Sequence, residues 1–71
     1  MLRTKEEIKQ KVMPCGRTFV IPAHSTVYPA TNLPQGGYWV EQWSDDIDEE
    51  TESVLHSIGF HVTDEEVEEV A

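Results

Sequence analysis

The sequence predicts an α+β domain: a small antiparallel sheet of three or four strands covered by one main helix, with short terminal helices. Three observations carry that expectation. Five of the six aromatic residues fall between Arg17 and Trp43, in a stretch where side chains alternate as in strands. The Asp46–Gly59 segment repeats apolar residues at helical spacing. Two Thr-x-x-Glu boxes, opening at Thr4 and Thr63, are helix-start signatures near the two ends.

At 71 residues the chain is one small α+β domain. It divides into an N-terminal helix and turn (1–16), a β-rich scaffold (17–43) and an acidic helical part (44–71). In the first of these, Thr4 and Glu7 can cap each other, Ile8 and Val12 lie four apart on one helical face, and Pro14 and Gly16 end the helix. In the scaffold, Phe19 and Ile21 oppose Thr18 and Val20 in a first strand that Pro22 limits. A second strand covers Thr26 to Tyr28. The turn-forming residues 31–37 lead into a third strand, Tyr38 to Trp43, which places Tyr38, Val40 and Gln42 on one face and Trp39, Glu41 and Trp43 on the other.

The main helix is expected over Asp46–Ile58. Ile47, Thr51, Val54, Leu55 and Ile58 form its stripe, Asp46 is its N-cap, and Gly59 closes it so that Phe60 touches Leu55. Phe60-His61-Val62 is a short fourth strand. Thr63 to Glu66 then starts a last helix, with Val62 and Val67 as its hydrophobic staple.

Charge is the most lopsided property of the chain. Residues 1–43 carry five basic and three acidic side chains, and residues 44–71 carry eleven acidic and none basic, within a net charge of -9. Such a surface repels nucleic acid and membrane and speeds encounter with basic proteins. A single cysteine, Cys15, forms no internal disulfide, and no apolar run reaches the length of a membrane span, so the expected location is the cytoplasm.

The residues that carry chemistry give no catalytic or metal signature. Cys15 with His24 or His56 has the residue types of a thiol nucleophile without a local motif. His56, His61 and Cys15 match no zinc spacing. Asp46, Asp48 and Glu50 imitate a calcium loop, but Thr51 stands where its glycine belongs and Ser57 where its closing glutamate belongs. The expectation is a protein that is no enzyme and has no cofactor or metal.

Two surfaces are candidates for binding. The first is acidic: Asp45, Asp46, Asp48, Glu49, Glu50 and Glu52 before and along the main helix, then Asp64, Glu65, Glu66, Glu68 and Glu69 in the tail. Carboxylates spaced along two helices can imitate a phosphate backbone and occupy the basic groove of a nucleic-acid-binding host protein, as an inhibitor or DNA mimic does. The alternative is an aromatic face of Tyr28, Trp39 and Trp43, through which the protein would form a homodimer or larger assembly.

The succession VIPAHSTVYPATNLPQGGYWVEQW, SDDIDEE and GFHVTDEEVEEV resembles short accessory proteins of bacteriophages and prophages over residues 17–70. That resemblance implies a protein of the host cytoplasm that binds and disables a host factor, and it assigns no functional residue. The reading of the sequence is therefore a non-enzymatic acidic protein that binds a basic host protein.

Overall fold

In the computed structural model, which describes residues 1–13 and 16–70, the chain is mostly β. Among the described residues there are seven strands: β1 (Leu2–Thr4), β2 (Ile8–Val12), β3 (Arg17–Ile21), β4 (Thr26–Pro29), β5 (Tyr38–Gln42), β6 (His61–Val62) and β7 (Val67–Glu69). The helix α1 (Glu49–Ser57) lies between β5 and β6, and a 3-10 turn, Asp64–Glu66, lies between β6 and β7. Five strands form one antiparallel sheet in the order β6-β5-β4-β1-β7, while β2 and β3 form a separate hairpin.

The five-stranded sheet is curled, and its connections require it. Its edge strands β6 and β7 are joined by residues 63–66 alone, three of which are in the 3-10 turn. Laid flat, five strands would put those edges roughly 19 Å apart, more than a linker containing a compact turn can span. The sheet therefore rolls into a half-barrel.

Its inner face is closed by the hairpin. Ile8, Phe19 and Ile21 from β2 and β3 share one core with Val27, Val40, Val62, Val67 and Phe60. Phe60, fully buried, meets the Phe19 ring edge to face at 5.3 Å between centroids. Gln10 adds a polar tie, its side-chain amide donating to the carbonyl oxygen of His61 on the β6 edge.

This overturns the expected sheet under one main helix. Helix α1 has nine residues, buries only Thr51, and leaves Ile58, the last of the predicted stripe, 60% exposed. Val54 and Leu55 touch the core from its border. The helix starts two residues later than expected, capped by Asp48 and not Asp46, with the Asp48 carboxylate accepting from the Thr51 N–H at 2.8 Å. At its other end Gly59 has the expected left-handed backbone, φ 82°, and donates to the Val54 carbonyl.

Both terminal helices are absent from the described residues. Where the first was expected, β2 pairs with β3 in the register Ile8↔Ile21, Gln10↔Phe19 and Val12↔Arg17. Residues four apart share a face in a strand as well as in a helix, so Ile8 and Val12 fit both periods. Thr4 does not cap: its hydroxyl donates to Pro22 O and accepts from the Ser25 N–H. The predicted stop at Pro14 lies outside the described residues. At the carboxyl end Glu66 does accept from the Thr63 N–H at 2.9 Å, but the box supports one 3-10 turn only. The chain then pairs with β1, Thr4↔Val67 to Leu2↔Glu69, because a strand there satisfies the β1 edge and buries Val67.

The scaffold strands stand close to expectation, with one irregularity. Thr26 pairs with Gln42 and Val27 with Val40, so Glu41 is an extra residue on β5. A bulge of this kind resets the alternation of the strand.

A buried polar corner locks β1, the β3–β4 turn and the end of β5. Thr4 and Ser25 are fully buried, and both hydroxyls donate to the Pro22 carbonyl. The Ser44 N–H donates to the Ser25 hydroxyl oxygen, and its own hydroxyl donates to Ala23 O. The turn requires a left-handed residue, which is His24, φ 68°.

Candidate functional site

The Glu41 bulge shapes an open groove beside α1. Without it Trp43 would follow Trp39 onto the outer face. With it, inward positions run Tyr38, Val40, Trp43, and the Trp43 ring packs edge to face on Phe60 at 5.1 Å. Leu55 from α1 and Ile47 from the segment before it stand beside Trp43, and the three line an open groove of about 440 Å³.

Its rim is acidic. Glu41, Asp45, Asp46 and Glu52 line it, and all are exposed. Among the described residues no lysine or arginine forms an ion pair with any of the four, and the His56 imidazole lies 4.0 Å from the Glu52 carboxylate. A half-buried apolar floor between carboxylates can take an apolar side chain flanked by cations.

The other predicted carboxylates lie elsewhere. Arg17 forks onto α1, bonding Asp48 at 3.0 Å and Glu50, with its guanidinium 4.5 Å from the centre of the Phe19 ring. The Thr51 hydroxyl and N–H, then Arg17, hold the Asp48 carboxyl well below the usual carboxylate range; Glu50 and Asp48 in turn raise Arg17. Glu68 pairs with Arg3 at 2.7 Å, and Glu66 serves its capping box. Asp64 and Glu65 line a smaller hollow beside His61, Glu49 is in the first turn of α1, and Glu69 lies on β7 opposite Leu2. The structure thus divides the predicted acidic face between α1, the groove and the β7 edge, and among the described residues no pair of α-helices spaces carboxylates along a phosphate-like path.

The aromatic face also divides. Tyr28 and Trp39 are cross-strand partners, and Trp39 continues onto His61 at 5.3 Å, a row over three strands with Tyr28 47% exposed. Trp43 turns away from them into the groove. The His61 Nε2 bonds the Gly36 carbonyl oxygen at 2.7 Å, which fastens the 30–37 loop, and Asn32 accepts from the Trp39 indole N–H. His56 is exposed on α1 and His24 on the polar corner. Cys15 lies outside the described residues, and among those described no three metal-ligating side chains come together.

Sequence reasoning named Asp45, Asp46, Glu52 and Trp43 but missed Glu41, Ile47 and Leu55 as parts of one groove. The signal for it was Tyr-x-Val-x-x-Trp, an apolar spacing of two and then three, which a bulged strand satisfies and a regular one does not.

These features define a small β-rich domain with an acid-rimmed apolar groove. No family model matches the chain, and neither a curated protein nor a solved structure matches it. No helix among the described residues is long and apolar enough to cross a membrane.

Proposed function

We propose that this protein is a non-enzymatic binding protein of the host cytoplasm that holds a basic host protein in the groove beside α1. The observation that supports this reading is the set Glu41, Asp45, Asp46 and Glu52 around Trp43, Ile47 and Leu55. Carboxylates that no internal lysine or arginine neutralises attract a cationic partner from solution, and the apolar floor adds burial once it arrives. The likeness to phage accessory proteins supplies the host as the source of that partner. The DNA-mimic version is dropped with the second helix it needed, and assembly through Tyr28, Trp39 and Trp43 is dropped because the three no longer share a face.

Capture from bacterial lysate on the immobilised protein tests the proposal. Basic proteins should be retained at about 0.15 M salt and released at about 1 M, where the screening length falls from roughly 8 Å to 3 Å. The triple variant Asp45→Asn, Asp46→Asn, Glu52→Gln should retain much less. Retention indifferent to salt, or undiminished in that variant, refutes the reading.

A further inference from the structure

The outer face of the β2–β3 hairpin has the chemistry that the groove lacks. In the register of the hairpin Lys9 stands opposite Val20 and Lys11 opposite Thr18, all exposed, with Val20 44% accessible. Lys9 and Lys11 make no ion pair among the described residues, whereas both arginines of the chain are already engaged, Arg3 by Glu68 and Arg17 by Asp48 and Glu50. Two cations roughly 7 Å apart along a strand, with a valine beside the first, are complementary to a groove with an apolar floor and carboxylates on its rim.

We infer that the Lys9–Val20–Lys11 face of one copy seats in the Trp43–Ile47–Leu55 groove of a second copy. It rests on the same groove as the proposed function but needs no host partner. The contact is heterologous, one patch against a different patch, so it propagates head to tail into short chains or a closed ring. Val20 enters over Trp43 and Leu55, and the two lysines reach Asp45, Asp46, Glu41 or Glu52. Net charge opposes the approach of two copies, but at physiological salt that repulsion is screened beyond about 8 Å, while pairs formed at contact are screened less. A basic partner would have to displace this self-contact, so free protein would be held in reserve as oligomers.

Analytical ultracentrifugation of the whole chain, at concentrations up to roughly 1 mM, reads the result directly. Reversible association is expected at about 0.15 M salt, and its loss is expected at about 1 M. Lys9→Glu/Lys11→Glu and, separately, Asp45→Lys/Asp46→Lys should each weaken association about tenfold or more, with the fold checked by circular dichroism. Mixing the two variants should restore association, because each supplies the surface the other has lost. Val20→Ser, which leaves every charge in place, should weaken it independently. A wild type that stays monomeric over this range, association untouched by both charge reversals, or a mixture that remains monomeric overturns the inference. A monomer that still captures basic proteins through the groove sinks only self-association, whereas salt-sensitive oligomers with no captured partner sink only the host-binding proposal.

Discussion

Trp43 and Phe60 meet edge to face at 5.1 Å, and Phe60 also meets Phe19 at 5.3 Å. One fully buried ring therefore joins the groove floor, the half-barrel and the hairpin that closes it. Phe60→Ala should cost about 3–5 kcal/mol, most of the stability a domain of this size has. Urea unfolding followed by tryptophan emission checks this, and a loss under about 1 kcal/mol would mean that Phe60 does not link the two sheets.

Two adjacent glycines give a contrast that isolates steric contact from backbone strain. Gly36 and Gly37 both have positive φ, 75° and 81°. A Cβ at Gly36 meets nothing within 4 Å, whereas one at Gly37 would collide with the His61 ring and lie 2.7 Å from the Val62 carbonyl oxygen. Gly36→Ala should cost about 1 kcal/mol and Gly37→Ala roughly 2–4 kcal/mol, the excess coming from displacement of His61. Thermal unfolding of the pair is the measurement; equal costs would contradict the packing of this loop.

The strands between Arg17 and Gln42 were legible because their side chains alternate up to the Glu41 bulge, as in β3, where Phe19 and Ile21 are buried and Val20 is exposed. The outer elements were not, for physical reasons that differ. Ile8 and Val12 sit at a spacing common to both periods, and local capping at Thr4 lost to the long-range bonds of its hydroxyl with Pro22 and Ser25. At the carboxyl end the box at Thr63 formed, but pairing with β1 stopped the helix after one turn. The acidic character of the groove was readable residue by residue. Its assembly was not, since it depends on one inserted residue in β5.

That residue makes a direct prediction. Deleting Glu41 removes the extra residue opposite the Thr26–Val27 step, so β5 returns to strict alternation with Tyr38, Val40 and Trp43 all still on the inward side. The expected outcome is a protein whose Trp43 stays protected from quencher and whose tryptophan emission stays close to that of the wild type. Substitution, as in Glu41→Gln, keeps the bulge and should also leave emission unchanged. Emission that moves to the red on deletion, with Trp43 open to quencher, would show that the alternation of β5 does not set the direction of Trp43.

Asp48 ties α1 to its own first turn and to the hairpin, and its chemistry sets a pH dependence. Its folded-state carboxyl titrates below the unfolded value because Thr51 donates to it twice and Arg17 stands beside it. A group depressed in this way contributes stability above the unfolded pKa of about 3.9 and loses that contribution as pH falls through the folded value. The stability gap between wild type and Asp48→Asn should therefore be constant near neutrality and narrow progressively below about pH 4. Arg17→Gln should reproduce only part of the gap, since the Thr51 bonds remain, and added salt should shrink that part alone. Chemical denaturation of the three proteins between about pH 2 and 7 resolves these effects, and a gap that widens on acidification would reverse the assignment.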